Sequence, residues 1–288
     1  MEEKFYIEQL RAKEAMLAST TNYLLHTQHL VEEKNKEISD INSEIFKSIN
    51  FAKIIQKSLL PNKDVLKVYV KDVTYRVIQQ IGIGGDSIFI KNSNQGIAFG
   101  LLDATGHGIP AAMLSISGTL ILNELTSSMD IDNPGVLIKL LNYRLNSTFN
   151  SGLSLAHLEG TICFYSPKNN TLNYSSAKGK IFHISIKGVV IELPCTKRSI
   201  GENILSDFDS FSIDFKVGDK LFLCSDGLTD QFGGSNDKKF SKARLKTILS
   251  EYYNKSVNDL DKIIYDEHIK WRKNSLQTDD LSFMIIQF

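Results

Sequence analysis

The chain has 288 residues, with 33 Lys+Arg against 33 Asp+Glu and 42% hydrophobic residues. This length accommodates one large domain with an appendage, or two small domains, and the apolar share excludes a disordered, collagenous or disulfide-scaffold chain. A formal net charge of zero argues against a nucleic-acid or anionic-membrane partner, because both require a dominant basic face.

Residues 1–60 contain neither Gly nor Pro, although the whole chain has 18 and 5 of them. Leu10, Leu17, Leu24, Val31, Ile38, Ile45, Ala52 and Leu59 recur every seven residues, and Ile41 and Ile55 add a second row. That is a coiled-coil seam. A helix from Leu10 to Leu59 would be roughly 75 Å long at ~1.5 Å per residue, more than one domain can cover, and a homodimer is the simplest partner for its stripe. Lys13, Thr20, Thr27, Lys34 and Ser48 make the second row polar, so pairing is expected to weaken in the N-terminal half. The alternative is a solvated helix docked on its own domain.

The segment MEEKFYIEQL carries acids where a signal peptide would be basic, and no uninterrupted apolar run reaches the ~20 residues of a bilayer span. Cys163, Cys195 and Cys224 match neither a redox pair nor a zinc spacing. A cytoplasmic protein with reduced thiols and no membrane insertion is expected.

From Lys63 onward the texture becomes β-rich. Strands are predicted near 67–79, 87–91, 96–102, 161–166, 171–176, 181–186, 188–193, 210–215, 220–225 and 281–287, and helices near 109–129, 135–149, 241–253 and 256–271. Strands grouped between helical pairs favour an antiparallel α+β architecture.

The acids sit at the ends of the apolar runs. Asp86 closes IGIGGD, Asp103 closes IAFGLLD, Asp226 closes KLFLCSD, and Asp279 opens TDDLSFMIIQF. Singly, each has an ordinary reading: Asp226-Gly227 as a hairpin turn, Asp103 as a cap for the following helix, Gly84-Gly85-Asp86 as a turn. If the strand ends meet, however, ionised carboxylates in one small volume require raised pKa values or cations between them, and an all-carboxylate set suits Mg²⁺ or Mn²⁺ rather than Zn²⁺. There is no P-loop, no complete G-x-G-x-x-G and no G-x-S-x-G elbow.

GGD at 84–86, DATGHGIPAAML at 103–114, CSDGLTDQFGG at 224–234 and TDDLSFMII at 278–286 resemble, in order and spacing, the metal-dependent protein phosphatases of the protein phosphatase 2C (PPM) superfamily, in their bacterial SpoIIE-like, RsbU-type branch. SINFAKIIQKSLLP at 48–61 resembles the linker that precedes that domain. The resemblance implies a regulatory coiled-coil helix over 1–62 and a phosphatase domain over 63–288. It implies for that domain a four-layer αββα sandwich of two antiparallel sheets, holding two Mn²⁺ or Mg²⁺ ions. It further implies hydrolysis of phosphoserine or phosphothreonine by a water that the two metals activate. The expected substrate is a phosphorylated regulatory protein such as an anti-sigma-factor antagonist.

Carried over by position, Asp103 would bridge both metals and the Ala104 carbonyl would add a ligand. Asp226 and Asp279 would complete one metal and Asp86 would serve the other. Asp280, Gly106 and His107 would stand around the ligands, His107 in a structural role. The helix seam of Val31, Ile38, Ile41, Ile45, Ala52, Ile55 and Leu59 would dimerise the protein and transmit a signal to the metal site, with an upstream sensor protein as a further partner. Two departures stand out. Phe89 occupies the place of a usual acid, and no arginine lies between Arg76 and Asp86, where eukaryotic relatives grip phosphate. Lys178 and Lys180 are read first as solvated turn lysines and only second as substitutes for that arginine. The rival to the enzyme is a catalytically silent phosphatase-fold binding module.

Overall fold

The computed structural model describes residues 2–128, 132–149, 157–202 and 205–288. It divides into two compact units, Met1–Phe51 and Ala52–Phe288.

The first unit is entirely helical. Helix α1 runs Glu2–Ser58, so that its last turns belong to the second unit. Nothing breaks it: Thr20, Thr21, Thr27 and Ser48 return their hydroxyls to carbonyls four residues back. The seven-residue row from Leu10 to Ile45 is exposed throughout, at 48–69% of each residue's surface, and so are Ile41 and Ile55. An uncovered apolar stripe of this length is what a partner helix would bury.

The second unit continues with α2 (Asp64–Lys67), β1 (Asp72–Ile78), β2 (Ser87–Ser93), β3 (Gly96–Ala104), α3 (Gly108–Ser128) and α4 (Pro134–Phe149). Then come β4 (Leu158–Ser166), β5 (Thr171–Ala177), β6 (Lys180–Ile184), β7 (Val190–Glu192), β8 (Phe211–Ile213) and β9 (Lys220–Cys224). The chain finishes with α5 (Asp226–Asp230), β10 (Phe232–Gly233), β11 (Lys238–Lys239), α6 (Lys242–Glu251), α7 (Val257–Arg272) and β12 (Leu281–Gln287). Two five-stranded antiparallel sheets result, in the orders β1-β12-β9-β6-β7 and β2-β3-β4-β5-β8, with β10 and β11 forming a separate ribbon.

The alternation of side chains explains the layers. Ile88 and Ile90 of β2, Phe99 and Leu101 of β3, Leu221 and Leu223 of β9, and Met284 and Ile286 of β12 share one core between the sheets. Their neighbours point the other way. Phe89, Ala98 and Leu102 join Leu114 and Leu122 of α3 and Leu141 of α4, while Phe222, Phe283 and Ile285 join Leu249 of α6 and Ile264 of α7. Strands apolar on both faces need cover on both, which is why their sequences are unbroken hydrophobic runs rather than alternating ones. The architecture is therefore α+β, two antiparallel sheets face to face with helices outside. Phe89 belongs to the helix-side core, at 2% exposure.

Several boundaries differ from the sequence expectation. The segment predicted as strand 67–79 opens instead with α2, and β1 begins only at Asp72. Leu66 of α2 is fully buried in the central core, so tertiary burial overrides the β-like pattern of VLKVYV. The segments 188–193 and 210–215 keep only three strand residues each. Asp226 starts α5 rather than sitting in a hairpin turn. Of the helix expected near 109–129, residue 129 lies outside the described residues. By length and composition α3 is apolar enough to cross a bilayer, although Ser, Thr, Asn and Glu interrupt its apolar residues, and it packs on the second sheet and α4.

Candidate metal centre

The β1–β2 connection carries the chain from one sheet to the other, and Asp86 sits at its end, one residue before β2. Asp86 is 1% exposed, and among the described residues no donor lies within ordinary hydrogen-bond distance of its carboxylate oxygens, although the Ser282 and Ser225 hydroxyls are close enough to act on it. Burial, followed by the nearby Asp280 charge, pushes its pKa up to about 8, with the Ser282 and Ser225 hydroxyls opposing. Asp103, the penultimate residue of β3, is held well above the usual carboxylate range by burial and then by the charges of Asp86, Asp226, Asp279 and Glu159. Asp279 is raised by burial and by Asp226 and Asp280. Asp226 follows β9 and opens α5. Four distant segments thus deliver their acids to one electrostatic neighbourhood.

What holds them is mostly backbone. Asp280 Oδ1 accepts from the Gln80 N–H and Oδ2 from the Gly85 N–H, each at 2.6 Å, so this buried carboxylate pins the GGD loop to the start of β12. Burial raises the Asp280 pKa and these N–H donors pull it back. Gln79 Nε2 donates to the Asp86 carbonyl at 2.9 Å. Gln56, in the last turn of α1, brackets Gly84: its Nε2 donates to the Gly84 carbonyl at 2.6 Å and its Oε1 accepts from the Gly84 N–H at 3.3 Å. The Ala104 N–H donates to the Gly85 carbonyl at 3.2 Å, which joins the end of β3 to the same loop. Gly227 is obligatory here, since a Cβ would overlap the Asp280 carbonyl. Gly106 and Gly108 adopt φ of +92° and +72°, the left-handed conformations that turn the chain from β3 into α3.

Asp86, Asp103, Asp226 and Asp279 therefore lie within electrostatic reach of one another, Ala104 ends β3 beside Asp103, and Asp280 acts on the loop through its hydrogen bonds. His107 is exposed, and its charge opposes the rise at Asp279 and Asp280. The seam residues Val31, Ile38, Ile41 and Ile45 lie in the first unit; Ala52 and Leu59, in the second, are half-buried. Sequence reasoning missed Gln56, Gln79, Glu159, Ser225 and Ser282. Only the last two carried a signal, because the antiparallel pairing of β9 with β12 aligns Cys224 with Phe283 and so sets Ser225 against Ser282.

Among the described residues, no three His, Cys, Asp or Glu side chains converge at metal-holding distance. The donor chemistry nevertheless fits hard divalent cations: the acids are all-oxygen donors, mutually repelling, and Asp86 keeps two buried oxygens without a donor.

The family model of Stage II sporulation protein E (SpoIIE) matches residues 93–288, so Asp86 lies just outside the matched segment. A comparison with curated proteins finds no match. Among solved structures, the chain is similar to the SiaA-PP2C domain of Pseudomonas aeruginosa, with a TM-score of 0.79 and 19% identity over 86% of this chain and 98% of that one. It is also similar to the PP2C phosphatase domain with a fragment of the regulatory domain of SpoIIE from Bacillus subtilis, with a TM-score of 0.61 and 17% identity over 75% and 63%. RsbX in complex with magnesium shares the fold at a TM-score of 0.55 and 16% identity, over 75% and 94%. With a family match that covers more than half of its length, the chain belongs to the SpoIIE family, and it shares its fold with these PP2C phosphatase structures.

Proposed function

We propose that the protein is a metal-dependent serine/threonine protein phosphatase acting on a phosphorylated regulatory protein. The observation that carries this reading is that Asp86, Asp103, Asp226 and Asp279, from four separate segments, raise one another's pKa values, with Asp86 fully buried. Such a cluster is costly in an empty protein and favourable around cations. Asp103 would serve both ions, Asp226 and Asp279 would complete one and Asp86 the other, and the Ala104 carbonyl would add a ligand. The neighbouring RsbX structure was obtained with magnesium, which supports Mg²⁺ or Mn²⁺ here.

Bound divalent ions supply charge for the phosphoryl oxygens and lower the pKa of a water. The chain's own residues do the rest. Asp280 and Gln79 fix the backbone of the loop that presents Asp86. Burial favours the protonated form of Asp86 in the metal-free protein, so a cation that binds there competes with a proton. The Gln56–Gly84 bracket ties that loop to the end of α1, and this supports regulation through the helix: a partner or a second copy that moves α1 changes how Asp86 is presented. The apolar stripe of α1 supports a homodimer, and an upstream sensor would act on residues 1–40.

A second reading, a catalytically silent phosphatase-fold module, is favoured by one observation: among the described residues, no three ligating side chains converge at metal-holding distance. Manganese titration by calorimetry, followed by phosphopeptide hydrolysis, separates the two. The expected result is manganese-dependent release of phosphate, with Asp226→Asn losing at least about a hundredfold in kcat/KM together with its manganese affinity. A folded protein that binds manganese and hydrolyses no phosphoserine or phosphothreonine peptide supports the silent module. Near-native activity and metal binding in Asp226→Asn refute the ligand assignment.

A further inference from the structure

The two turn lysines of SSAKGK lie beside the carboxylates. A narrow crevice is lined by Asp103, Glu159, Lys178, Gly179, Lys180 and Asp226. Lys180 opens β6 and pairs in register with Cys224, two residues before Asp226. Its half-buried side chain makes no hydrogen bond or ion pair among the described residues. Lys178 is held differently. Its Nζ donates to Ser199 Oγ at 2.8 Å and lies 3.4 Å from Glu159 Oε1, and Ser199 Oγ donates to the same Glu159 oxygen at 3.1 Å.

The turn between the two lysines is strained. Lys178 adopts φ +52°, a left-handed conformation unfavourable for a residue with a Cβ. It is kept there by the Lys178 N–H donating to the Thr196 carbonyl at 2.9 Å, and by Gly179, where a Cβ would overlap Thr161 and the Gly160 backbone. Arg76, the arginine nearest in sequence to Asp86, is committed elsewhere: it binds Asp261 through two hydrogen bonds at 2.9 and 2.6 Å and lies over the Tyr265 ring. A phosphoryl dianion that approaches Asp103 and Asp226 therefore meets these two ammonium groups as the fixed cations of the crevice.

We propose that the Lys178–Gly179–Lys180 turn is the phosphoryl-recognition element of the site: both ammonium groups receive nonbridging phosphoryl oxygens, that of Lys178 in a position set by Glu159 and Ser199. This rests on the phosphatase reading of the same site. Ammonium groups act as point charges rather than as a planar fork, so they hold the anion without dictating a single orientation.

Inorganic phosphate is the probe, with the full chain loaded with manganese. Lys178→Gln and Lys180→Gln are each expected to weaken phosphate binding in calorimetry by about tenfold or more, the loss of a charged hydrogen bond. The phosphopeptide KM should rise in parallel with little change in kcat, and manganese affinity should stay within about twofold, because neither lysine ligates metal. Lys139→Gln, which removes a surface ammonium paired with Asp207, should leave phosphate affinity unchanged. Unaltered phosphate affinity in both turn variants, equal weakening in Lys139→Gln, or no phosphate binding by the parent protein overturns the proposal. A parent that binds phosphate through these lysines but hydrolyses no phosphopeptide overturns the phosphatase reading and leaves this one standing.

Discussion

Single residues settle how the acids are read. Asp86, Asp103, Asp226 and Asp279 were legible because each ends or opens an apolar run, and a strand buried on both faces can place a carboxylate only at its edge. Asp280 was harder to place, since nothing in TDDL tells which of two adjacent acids accepts the N–H groups of a loop nearly 200 residues away in sequence. His268 was not singled out at all. It is 1% exposed in α7, and burial followed by the Arg272 charge lowers its pKa from 6.5 to about 4, with the Gly227 backbone opposing. The unfolded chain then binds a proton that the folded one refuses between these two values, so stability falls as pH drops from 6.5 towards 4. Replacing His268 by Leu is expected to flatten that acid limb in denaturant titrations of the metal-free protein; an unchanged slope would mean that other groups carry it.

Among the elements, the strands were the most readable, because nearly continuous runs such as IAFGLL and LSFMII fit sheets covered on both sides. α2 was missed because VLKVYV has strand-like composition, while Leu66 is held in the core by a helical turn. α5 was missed because Asp-Gly reads equally well as a hairpin turn or a helix start. The long α1 followed directly from the absence of breakers, but its most consequential side chain, Gln56, looked like any polar residue of a solvated face. Removing the bracket with Gln56→Ala frees one buried N–H and one carbonyl of Gly84. Manganese affinity is expected to fall by about tenfold through loss of loop order, while overall stability drops by about 1–2 kcal/mol, as measured by calorimetry and urea titration. A variant with parent-like manganese affinity would confine Gln56 to a packing role.

For the whole molecule, the decisive quantity is how the α1 stripe is covered. Ile38 and Ile45, both about half exposed, occupy the seam that the seven-residue repeat marks out, and charges placed there oppose helix pairing. The double variant Ile38→Lys/Ile45→Lys is expected to weaken self-association in analytical ultracentrifugation by at least about tenfold while leaving the circular dichroism of the sandwich intact; a parent that is monomeric at high concentration would remove the dimer from the account. The order of the first sheet has a separate consequence. β12 lies between β1 and β9, although it follows every other described strand in sequence. During synthesis, the hydrophobic slot between those two neighbours stays vacant until residues beyond Leu281 have cleared the ribosome. Asp279 and Asp280 arrive on the same stretch, so a nascent chain cannot assemble its carboxylate cluster prematurely, and premature termination anywhere upstream yields a polypeptide with an open sheet for chaperones and proteases to recognise.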